Sequence, residues 1–214
     1  MFSKKIWVLG RMGTVEKKRG RGRPRSFDVD VALDRAVEIF WKNGYEGADL
    51  DTLTEAMEIN RPSLYAAYGD KRALFFKAVE RYYQTFAMLQ LPDGKDGKRF
   101  DPSLFSEAIV HLFYDHERPR GCLIACVLAD EANAHEDAKA ILKEIIEREE
   151  RRIERWASGF LSGDSAAANA RCFANLLVAT LHSAAIKASA GISRRKISSD
   201  LAATMSILMG ILDT

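Results

Sequence analysis

An all-α fold is what this sequence predicts, on three observations. From Asp28 onward each extended apolar stretch repeats at helical spacing, i, i+3, i+4, i+7, and no stretch reads as a strand. Glycine, proline and charge concentrate between those stretches, most clearly at 91–101 (LPDGKDGKRFD). A chain of 214 residues with 47% hydrophobic and 29% charged content is long enough for a real core and for two small domains. The expected organisation is a flexible basic arm over 1–25, a three-helix unit over 26–72 and a larger helical domain over 73–214.

The net charge of +2 says little as a total, but Lys4 to Arg25 carries nine Lys or Arg against one acid, Glu16. The opening MFSKKIWVLGRMG has the outline of a signal peptide, yet its apolar run is too short for an h-region or a membrane span. Met12 begins a second leader, so residues 1–11 read as an upstream extension of the translated start. In KKRGRGRPRSF, Arg alternates with Gly and Pro, which prevents helix. Such an arm is either a solvated tail or, beside a DNA-binding unit, a segment that tracks phosphates or places Arg23 and Arg25 in a minor groove. Three cysteines, an odd number, argue for a reducing cytoplasm and free thiols over a disulfide framework.

The first helix runs from Asp28 to Asn43, with Leu33, Ala36, Val37 and Phe40 on one face and Gly44 at the C′ position. Phe40 and Trp41 read as core. The stretch LDTLTEAMEINRPSLYAAYGDK, Leu50 to Lys71, then packs two short helices and a tight turn, a helix-turn-helix. Its first helix has Asp49 or Asp51 as N-cap and Leu53, Ala56 and Met57 as its apolar face. Ile59 closes the turn, and Pro62 sits in the first turn of the second helix, where its missing N–H loses nothing. That helix carries Leu64 inward while Arg61, Ser63, Tyr65 and Tyr68 point elsewhere, the mix wanted from a helix lying in a DNA major groove.

The run INRPSLYAAYGDK resembles the DNA-binding segment of the TetR/AcrR family of bacterial repressors. Tyr65, Tyr68 and Lys71 match the family's Y-x-x-F-x-x-K signature with tyrosine in place of phenylalanine, and the likeness is close over 26–76. Two positions depart from the pattern: Glu58 stands where the family has glycine in the turn, and Ala48 where it has threonine. A positive φ at Glu58 would cost on the order of 1 kcal/mol. The resemblance implies a homodimer on a palindromic double-stranded operator, no membrane and no resident cofactor, with a small effector releasing the DNA. Tyr65, Tyr68 and Lys71 are then expected at the DNA backbone, where a hydroxyl or an ammonium positions the protein. Arg61 and Ser63, at the N-terminal end of the recognition helix, are expected at base edges, and Thr52 belongs to the same surface.

Beyond this unit, Lys71 to about Leu89 is a connector helix with Leu74, Phe75, Ala78, Val79, Tyr82 and Phe86 on one stripe. Its aromatic row, Tyr82, Tyr83 and Phe86, reads as core packing, with a cavity lining as the other possibility. Further helical patterns occupy about 102–117, 122–134, 136–160, 164–190 and 194–212. Within the third, Glu144–Arg148 and Glu147–Arg151 are spaced for i, i+4 pairs on a solvated face. The last two are apolar on more than one side, so packing against a two-fold copy as a four-helix bundle is expected to bury them. Leu177, Leu181, Leu201, Met205 and Leu208 are the expected dimer contacts.

Catalysis is the rival class, with His111, His116, His135, His182, Cys122, Cys126 and Cys172 as candidates. They form no known constellation: there is no nucleophile elbow, phosphate loop, HExxH or CxxC. Cys122 and Cys126 share a helix face and read as small core residues, or else as a thiol or soft-metal sensor with His111 or His116 as a third ligand. The expected protein is therefore not an enzyme but a cytoplasmic, DNA-binding regulator, with a C-terminal domain for effector binding and dimerisation and its pocket residues left open.

Overall fold

The computed structural model describes residues 27–87, 101–115 and 118–212; the basic arm with Arg23 and Arg25, the break at 91–100 and His116 lie outside the described residues. Among the described residues there are nine α-helices and no strand. They are α1 (Val29–Gly47), α2 (Leu50–Met57), α3 (Arg61–Tyr68), α4 (Lys71–Tyr82), α5 (Pro102–Phe113), α6 (Ala129–Ala134), α7 (Glu136–Ala157), α8 (Ala166–Ser189) and α9 (Arg194–Ile211). Two π-helical stretches extend this order, Tyr83–Ala87 at the end of α4 and Leu123–Leu128 leading into α6. The connector is thus α-helical only to Tyr82, and the expected helix from 122 begins as a π-helix.

Acidic and amide caps start the early helices. Asp28 accepts from the Asp30 and Val31 amides, Asp49 from Thr52 at 2.7 Å, Asn60 from Ser63 at 2.8 Å and Asp70 from Ala73 at 2.7 Å. Each such cap is worth about 1 kcal/mol. At Gly44, φ is 72°, as expected of a C′ glycine, and one further helical turn follows it.

The α2–α3 turn is a Schellman arrangement with Glu58 in the left-handed region, φ 54° and ψ 40°. The Ile59 amide donates to the Thr54 carbonyl and the Glu58 amide to that of Glu55, both at 3.1 Å, so the last carbonyls of α2 are satisfied. Glycine is the usual residue there. Glu58 gains in return an ion pair with Arg35 on α1, at 2.9 Å.

A single core joins the three-helix unit to the C-terminal helices. Ala36, Val37 and Phe40 of α1, Leu53 and Met57 of α2 and Leu64 of α3 close on Leu74 and Phe75 of α4, and the same cluster runs on through Val79 and Tyr82 to Leu123, Leu128 and Ile145. Phe40 meets Phe75, and Trp41 meets Tyr82, edge to face with centroids 5.1 Å apart. Three arginines tie α4 outward: Arg72 to Asp137 and Glu131, Arg81 to Asp34, and Arg148 to Glu80. Arg148 therefore reaches across to α4, whereas Glu147–Arg151 forms the intrahelical pair expected of it, at 3.3 Å.

The inner faces of α8 and α9 require a correction. Leu177, Leu201, Met205 and Leu208, expected at a dimer interface, are buried against their own protomer's α5 and α7, and Leu181 is half-buried beside them. Both helices have apolar residues on two sides, and the heavier stripe faces inward.

Gly121 precedes the π-helical stretch with φ 92°, and a Cβ there would lie 2.9 Å from the Ala185 carbonyl oxygen of α8. Gly121→Ala is expected to cost about 1–3 kcal/mol, read by denaturant unfolding, because neither the backbone of α8 nor the positive φ can yield cheaply. Glu58→Gly should do the opposite. Relief of left-handed strain, about 1 kcal/mol, exceeds the loss of a largely exposed pair, so thermal unfolding should show a gain below about 1 kcal/mol; a lowered melting temperature would refute this.

Candidate nucleic-acid interface and internal cavity

Helices α2 and α3 present one exposed face built from polar groups and the Tyr65 ring. Tyr65 is 48% exposed on α3, and Arg61 and Ser63 stand at that helix's first turn. Thr52 is half-buried, its amide given to Asp49. Lys71 places its ammonium 4.5 Å from the Tyr45 ring centroid and 3.4 Å from the Glu46 carbonyl oxygen. Both partners lie in the last turn of α1, just ahead of α2 in the chain.

Tyr68 does not belong to this face. It is 2% exposed, and its hydroxyl donates to the Val29 carbonyl at 2.7 Å, which pins α3 to the start of α1. A tyrosine on an eight-residue helix satisfies its ring by burial and its hydroxyl by an acceptor 39 residues away, a pairing that helical spacing does not display. Ala48 is likewise fully buried, so a side chain at that position does not reach the face.

Acids sit among these donors. Backbone hydrogen bonding from Thr52 lowers the Asp49 carboxyl below its ordinary range, with Lys71 a smaller cause. Asp51 accepts from Arg61 at 2.7 Å. Asp51 thus has a cation beside it, as Glu58 has in Arg35.

A second feature lies in the C-terminal half: a cavity of about 70 Å³ between α4, α5, α7, α8 and the π-helical stretch. Its walls are mainly apolar, with Phe105, Ile109, Phe113, Leu177, Val178 and Leu181 among them. One end is polar, where His182 Nε2 lies 3.3 Å from Glu149 Oε2 and Arg152 joins the lining. Tyr82 brings α4 to the wall, so its ring serves both as core and as cavity lining. Five elements contribute, and no local motif in the chain marks them.

Cys122 also lines this space, with burial pushing its thiol up to about 11. Cys126 is half-buried, Cys172 exposed, and no group of three His, Cys, Asp or Glu able to hold a metal occurs among the described residues. His111 lies on α5, and His135 precedes α7. No described helix is long and apolar enough to cross a membrane.

On the outer surface of α8 and α9 stand Leu176, Ile186 and Ile207, 44%, 53% and 74% exposed. They lie on the stripe opposite the buried leucines, among alanine, serine and glycine.

Comparison with known proteins agrees with this layout. The family model for bacterial regulatory proteins of the tetR family matches residues 32–78, the three-helix unit with the start of α4. The HTH-type transcriptional repressor ComR of Escherichia coli K12 is 36% identical over 110 residues, 50% of this chain and 52% of ComR. An uncharacterised HTH-type regulator of Bacillus subtilis 168, YezE, is 38% identical over 106 residues, 48% of this chain and 54% of YezE. The chain thus spans about half the length of these curated relatives. Solved structures extend the likeness. The TetR family transcriptional regulator CifR, as a cysteine mutant complexed with 26-bp double-strand operator DNA, is 31% identical with a TM-score of 0.69, covering 86% of this chain and 98% of CifR. A second CifR cysteine mutant on operator DNA gives a TM-score of 0.71 at 30% identity. A relative of that identity across most of both chains, with the same helical architecture, shows that this chain belongs to the TetR family of transcriptional regulators.

Proposed function

We propose that the protein is a cytoplasmic, homodimeric transcriptional repressor that holds a palindromic operator through α3 and leaves it when a small effector enters the cavity. The observation that carries this reading is the exposed face of α2 and α3, where Arg61, Ser63 and Tyr65 stand on a helix whose own core residue, Leu64, is fully buried. In this reading α3 enters the major groove N-terminus first, Lys71 and Tyr65 meet phosphates, and Arg61 reads a base. The domain division at residues 72–73 belongs to the same proposal, although α4 is packed into both halves.

The dimer face is the outer stripe of α8 and α9, with Leu176, Ile186 and Ile207 packing against the two-fold copy and small residues between them permitting close approach. The effector is a compact, mainly apolar molecule with one hydrogen-bonding head toward Glu149, Arg152 and His182. Redox or metal sensing through Cys122 and Cys126 is less well supported, because a thiol held near 11 is almost wholly protonated at neutral pH and a poor nucleophile or ligand.

A gel shift against DNA selected from a random library tests the core claim; no selectable duplex would end it. Two substitutions separate the roles on the face. Arg61→Ala is expected to cost about 1–3 kcal/mol on the selected operator and to relax preference at one base pair per half-site. Lys71→Ala should weaken binding to all sequences and flatten the salt dependence by about one unit of slope. For the dimer, Ile207→Glu should give a folded monomer by light scattering and circular dichroism. A wild-type monomer at micromolar concentration would refute the interface.

A further inference from the structure

We propose that Asp51 is a positioning residue for sequence recognition: it holds the Arg61 guanidinium by one edge so that the other edge meets a base. The inference rests on the reading that α3 enters the major groove. Asp51 is not the cap of α2, a task that Asp49 performs through the Thr52 amide. Its Oδ1 accepts instead from Arg61 Nε at 3.2 Å and Nη2 at 2.7 Å, across the turn from α2 to α3. That pairing occupies the Nε–Nη2 side of the fork. The end formed by Nη1 and Nη2 is the part of arginine that matches guanine O6 and N7 as a bidentate donor.

Stability does not account for the pair, since both side chains are exposed and such bridges contribute little. Affinity does not account for it either, because a carboxylate on a DNA-facing helix repels phosphate. What the pair does supply is order: a long side chain with several rotatable bonds is already held before DNA arrives, so less freedom is lost when it engages a base. Asp51 thus gives up some general attraction to DNA in exchange for discrimination.

The test is competition binding by fluorescence anisotropy, using the full-length protein and the duplex that wild type selects from a random library, with each base pair replaced in turn. Arg61→Ala should relax preference at one base pair per half-site by about tenfold or more. Asp51→Ala should relax preference at the same base pair severalfold while tightening binding to scrambled DNA. In the Arg61→Ala background it should change that preference no further. Asp51→Asn, which keeps an acceptor oxygen, should retain most of the discrimination, and it also guards against a misfolded alanine variant. If Asp51→Ala tightened binding to operator and scrambled duplexes equally, with every base preference unchanged, Asp51 would only mask Arg61 and the proposal would fall. If Arg61→Ala itself left all preferences intact while the operator was still bound, the proposal would fall with its premise about Arg61, and DNA binding by α3 would stand.

Discussion

Everything in this fold depends on burying α4 from two sides at once. Leu74, Phe75, Ala78, Val79 and Tyr82 all fall in one core cluster that contains residues of α1, α2 and α3 as well as of α7 and the π-helical stretch. At about 1.5–3 kcal/mol for each large apolar side chain, that burial far exceeds what any exposed ion pair contributes. The pairs therefore add direction more than strength. Arg72 grips both oxygens of Asp137 at 2.6 and 2.9 Å and lies over the Tyr45 and Phe76 rings, with centroids 4.9 and 4.8 Å away. Its hold on Asp137 keeps that carboxyl down at about 2. With Arg81 on Asp34 and Arg148 on Glu80, α4 is fixed in register against α1 on one side and α7 on the other.

The DNA-facing unit carries local strain and charge that a purely stable domain would avoid. Glu58 adopts a backbone conformation suited to glycine, and Asp49 and Asp51 put negative charge on the exposed face of α2 and α3, the face proposed to meet phosphate. The first costs about 1 kcal/mol against a typical domain stability of about 5–15 kcal/mol, and is partly offset by the Arg35 pair. The two acids each do a second job: Asp49 satisfies an amide that α2 would otherwise leave open, and Asp51 orders an arginine.

Much of this architecture was legible in the sequence because its determinants are local. Asp49 and Pro62 announce helix starts within four residues of where they act, and Gly44 marks the kink after which α1 runs one further turn. What local pattern could not decide was which side of a doubly apolar helix faces inward. On α8, Leu177 and Leu176 are neighbours in the chain; one is fully buried and the other 44% exposed, because α7 packs on only one of the two stripes. Tyr68 departs from its local pattern for a related reason: the acceptor that makes its burial tolerable is Val29, on another helix. The cavity was invisible from any single segment, since α4, α5, α7 and α8 each supply only a few of its residues.

The position of that cavity constrains how a ligand can act on the DNA-facing unit. At about 70 Å³ it admits only a compact molecule without rearrangement, and Tyr82, the last α-helical residue of α4, forms part of its wall. A larger occupant has to displace α5, α8 or Tyr82, and Tyr82 is edge-on to Trp41 of α1. The polar end is coupled to the same helix, because Glu149 follows Arg148, whose guanidinium holds Glu80 of α4. Contacts alone do not make a switch. A ligand shifts the orientation of α4 only by as much as it binds one orientation better than the other, and moving a population from 1:99 to 99:1 takes about 5.5 kcal/mol of such difference. At about 0.8 kcal/mol per methylene, about seven methylenes buried in one state and not in the other would supply it. On the proposed reading the discriminating energy comes from the apolar walls, and the polar end, where Glu149 and His182 lie 3.3 Å apart, selects the molecule by its polar head.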